Sequence, residues 1–165
     1  LEYLYAGKVD CIYIDPPYNT GARDWKYNND YVDSNDAWRH SKWLSMMEKR
    51  LKFAKKLLNP KDSVLIVTID EKEYLHLGML LEQLFPEARM QMVSSVINSA
   101  GVTRGDEFSR SNEYLFFLRF GSASPVALPL SDEWRGHTKS EKKDAAEAAP
   151  FIKTNIMEYT HYTVF

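Results

Sequence analysis

The chain has 165 residues, enough for one domain or for part of a larger one. Its 21 Lys plus Arg against 23 Asp plus Glu leave a net charge of −2, which excludes a dedicated polycation for nucleic acid. Cys11 is the single cysteine, which excludes an intrachain disulfide and a thiolate zinc site. No apolar run is long enough to span a bilayer. The opening Leu1-Glu2-Tyr3-Leu4-Tyr5 lacks the basic flank and apolar core of a signal peptide and has no initiator Met. The expectation is a cytoplasmic protein with no membrane partner, read from a longer chain.

Residues 9–14, Val-Asp-Cys-Ile-Tyr-Ile, are short, β-branched and aromatic, and are stopped by Pro16-Pro17, which predicts a buried strand. Residues 19–35 are rich in Asn, Asp, Gly and Tyr with no sustained period and read as a long, mobile loop. A helix is predicted over 41–58, where Leu44, Met47, Leu51, Ala54 and Leu58 form one apolar stripe and Asn59-Pro60 ends it. Its cations, Lys49, Arg50, Lys52, Lys55 and Lys56, lie mostly off the stripe and read as a solvated face that complements the helix C-terminus.

Residues 63–69 predict a second buried strand, with Asp70 at its end as a helix N-cap. A helix over 72–85 is expected to turn Leu75, Met79 and Leu80 to the sheet. Strands are predicted at 90–97 and 112–120, with a loop at 98–111 that holds Arg104 and Arg110 as ordinary loop charges. After Phe120 the pattern fades. The order implies an α/β fold, with parallel strands joined by right-handed crossovers and an antiparallel hairpin at one edge.

The informative tetrapeptide is Asp15-Pro16-Pro17-Tyr18, directly after a strand, where open α/β sheets place ligand sites. A plain strand-capping turn is the competing account. The stretch from Val9 through Asp15-Pro16-Pro17-Tyr18-Asn19-Thr20-Gly21 resembles the catalytic strand and turn of the amino-group DNA methyltransferases. These transfer a methyl group from S-adenosylmethionine to adenine N6 or cytosine N4. The residues after it, with Trp25, Tyr27 and Asn28, are similar to that family's lid. Trp43 to Leu58, Ser63 to Asp70, and Asn112-Glu113-Tyr114-Leu115 resemble its following elements, with Asn112 where His is usual. The subclass resembled is the β-type, which includes the modification subunits of type III restriction systems and in which the catalytic half precedes the cofactor half.

The resemblance implies part of a Rossmann-like class I methyltransferase sheet, with residues 1–120 as the catalytic half and 121–165 as a linker or the start of a target-recognition region. It implies Asp15, Pro16, Pro17 and Tyr18 as catalytic residues, with Asp15 and Pro16 also bordering the cofactor. Tyr18, Asn19, Trp25, Tyr27 and Asn28 would meet the substrate, although the last three also suit a solvent-exposed loop. No metal is expected, since the four histidines show no ligand spacing. Double-stranded DNA is the implied partner of the intact protein, beside a restriction subunit.

The chemistry follows from the residue types. An exocyclic amine has its lone pair delocalised into the base and is a poor nucleophile. A carboxylate and a main-chain carbonyl that accept its two hydrogens favour a pyramidal nitrogen. Asp15 and Pro16 supply those acceptors, proline holds the turn, and Tyr18 offers an aromatic face to a flipped-out base. A carboxylate is too weak to deprotonate the neutral amine beforehand, so the rate should come from positioning and electrostatics. Within the resemblance, Asp15 rather than Ser at the first motif position leans the family analogy toward adenine N6 over cytosine N4, and Asp15 in place of Asn leans it away from RNA or protein amides.

The family's cofactor motif, Phe-x-Gly-x-Gly, finds only a poor match at Phe120-Gly121-Ser122-Ala123-Ser124. The expectation is therefore a fragment of an adenine-N6 DNA methyltransferase, inactive or weak alone. The alternatives are a non-catalytic binding module of a restriction–modification assembly and a cytosine-N4 enzyme. The strand at 9–14 would then be a bare sheet edge through which the chain forms homo-oligomers.

Overall fold

A five-stranded sheet carries the molecule. The computed structural model describes residues 2–21, 25–27, 30–97, 102–104, 107–127 and 162–163. In chain order these form α1 (Glu2–Tyr5), β1 (Cys11–Ile14), β2 (Lys26–Tyr27), β3 (Asp30–Tyr31), α2 (Arg39–Leu57), β4 (Asp62–Ile69) and α3 (Tyr74–Leu84). They continue as β5 (Arg89–Val96), β6 (Val102–Arg104), β7 (Glu107–Arg110), β8 (Asn112–Gly121) and β9 (Tyr162–Thr163). The main sheet runs β5-β8-β4-β1-β9.

β1 and β4 are parallel neighbours, Cys11 opposite Val64 through Ile14 opposite Val67, joined by the crossover helix α2. β8 is antiparallel to both β4 and β5, and lies between them. The expected mixed sheet with an antiparallel pair at one edge is present. The chain order had not shown that the last long strand inserts beside β4 and pushes β5 outward.

The core lies between the sheet and the two long helices. Trp43, Met47 and Leu51 of α2, Leu77 and Leu81 of α3, and Ile12, Leu65, Val67, Ile69 and Leu118 of the sheet are completely or almost completely buried. β4 is buried at six of its eight positions, on both faces, as a central strand requires. Gly78 of α3 faces Phe116, where an added Cβ would lie 3.3 Å from the ring, so glycine lets the helix close on the sheet. The α2 cations face carboxylates: Lys52 meets Glu48, Lys55 meets Glu87 and Lys56 meets Glu2.

Four expectations are corrected. α3 turns Leu77 and Leu81 inward, whereas Leu75 and Met79 are 63% and 66% exposed. The segment after Asn19 is no plain loop: β2 and β3 pair antiparallel, and Trp25 and Val32 enter the core. The 98–111 segment contains a second small antiparallel pair, β6 with β7. The β1 edge is not bare, since β9 lies parallel to it with Ile12 opposite Tyr162 and Tyr13 opposite Thr163. Free strand N–H and C=O groups recruit such a neighbour.

The chain divides into two units, Leu1–Ala123 with Thr160–Phe165, and Ser124–Tyr159. Among the described residues no helix is long and apolar enough to cross a membrane.

Candidate active site

β1 delivers its chain to the C-terminal edge of the sheet, and Asp15 follows at once with its side chain exposed. The neighbouring parallel strand supplies its support. Thr68 of β4 donates its hydroxyl to Asp15 Oδ1 at 2.8 Å, and one carboxylate oxygen is thereby oriented while the group stays open to a ligand. Pro16 is buried and Pro17 half-buried. Trp43 of α2 donates its indole N–H to the Pro17 carbonyl at 2.6 Å. The turn is thus tied to the sheet at Asp15 and to the helix at Pro17. Pro17 serves as the anchor of the turn, and its carbonyl is already engaged.

Tyr18 lies half-buried beside this turn and donates its hydroxyl to Glu113 Oε2 at 3.3 Å. Burial first, and then the negative charges of Asp15 and Glu113, push its phenol up to about 12, against a lowering hydrogen bond from Thr68. The ring is therefore neutral at any physiological pH. Glu113 belongs to the Asn112-Glu113-Tyr114-Leu115 stretch and also accepts from Arg110 Nη2. Arg110 reaches Asp70 Oδ2 at 3.3 Å and Glu71 Oε2 at 3.5 Å. It is no ordinary loop charge: one guanidinium holds three carboxylates at the site edge, which offsets their mutual repulsion.

Asp70 is completely buried and accepts the Lys72 backbone N–H at 2.9 Å. It closes the turn ahead of α3 and is not its N-cap; that position belongs to Glu73. Asn19 and Trp25, expected to meet substrate, both turn inward. The Trp25 indole N–H donates to Asn19 Oδ1 at 3.3 Å, and Asn19 Nδ2 donates to Glu73 Oε1. Tyr27 is half-buried and packs against the core. Asn28 lies outside the described residues.

Sequence reasoning missed Glu73 as a site residue, together with its neighbours His40 and His76. Ligand atoms of these three lie within 4.8 Å of one another, although 36 residues separate the two histidines in the chain, and spacing along one element never shows such a set. A signal for Glu73 existed. Glu73, Leu77 and Leu81 recur at i, i+4 and i+8, which places the carboxylate on the buried face of α3.

Phe120-Gly121-Ser122-Ala123-Ser124 is excluded as a cofactor turn by its place in the sheet. Gly121 pairs with Asp62 at the start of β4, the end of the sheet opposite Asp15. Its glycine serves the local turn: its φ is +55°, and an added Cβ would lie 2.0 Å from the Lys61 carbonyl oxygen. Among the described residues no glycine-rich turn stands at the Asp15 end. The described residues at the Asp15 end therefore do not build a pocket for a nucleoside cofactor.

A strand ending in Asp-Pro-Pro-Tyr, its carboxylate open and its turn tied on both sides, is the part of the molecule best suited to hold an amine. A family model described as DNA methylase, for N6 and N4 methyltransferases, matches residues 9–161. The chain belongs to this DNA methylase family.

Its relatives are informative about subclass. It is 37% identical over 111 residues to the probable type III restriction-modification enzyme HindVI Mod subunit of Haemophilus influenzae, covering 67% of this chain and 14% of that protein. It is 32% identical over 136 residues to the EcoPI Mod subunit of Escherichia phage P1, covering 68% and 21%. With the type II methyltransferase M.KpnI of Klebsiella pneumoniae it shares 38% identity over 122 residues, 73% of this chain and 28% of that enzyme. The chain thus spans only a small part, 14% to 28%, of the length of these relatives. Among solved structures, a complex of M1.HpyAVI with SAM covers 74% of this chain and 50% of its own at 15% identity, with a TM-score of 0.44.

Proposed function

We propose that the intact protein is a site-specific DNA methyltransferase that moves the methyl group of S-adenosylmethionine to adenine N6 of a base taken out of the duplex. This chain would be its catalytic half. The observation that carries the reading is Asp15, exposed at the end of β1 with one oxygen held by Thr68 and its turn pinned through Pro17.

In this reading the Asp15 carboxylate and the Pro16 carbonyl accept the two amine hydrogens and set the nitrogen lone pair toward the methyl donor. The proton leaves once the nitrogen has gained positive charge, when a carboxylate is a competent acceptor. Tyr18 presents a neutral ring face to the base. S-adenosylmethionine supplies an activated methyl group when bound. Asp15 and Pro16 would border its reacting end, and the rest of its pocket lies outside the described residues.

The type III Mod subunits among the relatives favour a restriction subunit as a partner of the intact protein. A net charge of −2 means that most of the phosphate grip comes from elsewhere in it. Self-association is also proposed; β1 lies between β4 and β9, so a bare β1 edge is not its cause.

The test is nucleoside analysis. Unmethylated DNA incubated with intact protein and isotopically labelled S-adenosylmethionine should yield labelled N6-methyladenine. Label in N4-methylcytosine would move the target to cytosine, and no label in DNA would overturn the proposal.

A further inference from the structure

Glu73 is completely buried close behind the Asp-Pro-Pro-Tyr turn and takes no part in the chemistry described above. Its surroundings are polar and come from three segments. Asn19, the residue after the motif, donates to Oε1 through its side-chain amide. His40 Nδ1, from the start of α2, lies 2.5 Å from the same oxygen. His76 Nδ1, from the first turn of α3, lies 3.0 Å from Oε2. The carboxylate also sits at the N-terminus of α3, where the helix dipole favours negative charge. Arg39 Nε donates to His40 Nε2 at 3.3 Å, which leaves Nδ1 as the N–H that faces Glu73.

Asn19 passes the connection on. Its φ is +56°, a left-handed conformation that Asn adopts more readily than most residues but still at a cost. Its side chain is almost wholly buried, with the amide N–H2 spent on Glu73 and the Oδ1 accepting from Trp25. Trp25 in turn opens the β2–β3 segment and is buried in the core.

From this chain of contacts we propose that Glu73 is a positioning residue: with Asn19 it forms a latch that sets the Asp15–Tyr18 turn and the Trp25 segment relative to α2 and α3. The proposal rests on the methyltransferase reading and deepens it. A metal centre is the competing account of the same three ligand residues. The hydrogen-bond account fits better, because Asn19 already donates to Glu73 Oε1 and the Arg39 cation already faces His40.

The experiment uses the intact protein with unmethylated DNA. Glu73→Gln keeps the shape but removes the charge. Asn19→Gly removes the amide and tolerates the left-handed φ. Each should lower kcat about a hundredfold, the scale expected when a reacting group is displaced by about an ångström, and leave KM for S-adenosylmethionine within about threefold. The double variant should be no slower than the slower single variant, because both break one connection. In protein labelled with 5-fluorotryptophan, the Trp25 resonance, assigned by its loss in Trp25→Phe, should shift in both variants.

Wild-type kcat in either variant, or losses that multiply in the double, would overturn the latch. So would wild-type activity that chelation abolishes and zinc restores, since a metal ion would then be the connector. If the wild-type protein methylates no DNA, the functional reading fails by itself. The fluorine spectrum still decides the latch: an unmoved Trp25 resonance in both variants overturns it, and a shifted one supports it.

Discussion

Replacing Trp43 by Phe separates the packing of α2 from its grip on the Asp15–Tyr18 turn. Trp43 is completely buried, and its indole N–H donates to the Pro17 carbonyl at 2.6 Å. Phe keeps an aromatic ring in the site but has no N–H. The carbonyl belongs to a half-buried residue, so losing its partner should cost about 1 kcal/mol, the low end for an orphaned acceptor. The smaller ring leaves a void of about 40 Å³, which at about 24 cal/mol per Å³ adds about 1 kcal/mol. The expected loss is about 2 kcal/mol, a large part of the roughly 5–15 kcal/mol that holds a typical domain.

Leu51→Ala supplies the contrast. Leu51 is completely buried on the same helix but touches no site residue through a hydrogen bond, and its truncation should cost about 2–5 kcal/mol. Urea unfolding followed by circular dichroism gives the stabilities, and kcat of the folded protein gives the effect on the site. Trp43→Phe should lower kcat about tenfold, whereas the more destabilising Leu51→Ala should leave it near wild type. Equal kcat in the two variants would refute the claim that the Trp43–Pro17 bond positions the turn. A stability loss below about 0.5 kcal/mol for Trp43→Phe would refute the energetic argument.

Three further outcomes are expected. Thr68→Val removes the hydroxyl that orients Asp15 Oδ1 without changing the strand, and should lower kcat about tenfold with cofactor affinity unchanged by titration calorimetry. Tyr18 should stay protonated until about pH 12: the difference between the 295 nm absorbance titrations of wild type and Tyr18→Phe should lack a step near the ordinary phenol value of 10.0. By linkage, the raised phenol adds stability that is fully present below pH 10 and is lost as pH rises toward 12, so alkaline unfolding should begin later in Tyr18→Phe. Gly121→Ala should destabilise the protein by at least about 2 kcal/mol in urea unfolding, because its φ is positive and its Cβ would collide with the Lys61 backbone, and it should not alter cofactor affinity.

The parts of the fold that were legible in the sequence are those with a local cause. The apolar run before Pro16-Pro17 became β1, the stripe from Met47 to Ala54 became the buried face of α2, and the run at 63–69 became the central strand. The α3 face was misread at Leu75 and Met79, whereas Leu80 does pack against the core: the set Leu75, Met79 and Leu80 outnumbers Leu77 and Leu81 only if Glu73 is assumed to be exposed. Once a carboxylate is allowed inside, Glu73, Leu77 and Leu81 make the correct stripe. The insertion of β8 beside β4 was illegible, since pairing between strands distant in the chain leaves no periodic trace. The inward turn of Trp25 and Val32 was hidden in a segment whose composition is that of a loop.

The candidate site divides in the same way. Asp15 to Tyr18 could be read from one contiguous motif and its strand. Thr68, Trp43, and the Arg110–Glu113 pair, which hold that motif in place, come from three separate stretches and meet the motif only in the folded chain. Chemistry concentrated in a tetrapeptide is visible in sequence, and the groups that aim it are not.

The central claim is that Asp15 orients the amine and that the fold around it exists to aim this carboxylate. Methyl transfer to DNA by Asp15→Ala in the intact protein, measured with labelled S-adenosylmethionine beside cofactor binding by titration calorimetry, tests it most directly. The account predicts a loss of transfer of about a thousandfold or more, with cofactor affinity within about tenfold of wild type, one lost contact at the pocket's reacting end. Transfer at the wild-type rate by that variant would contradict it.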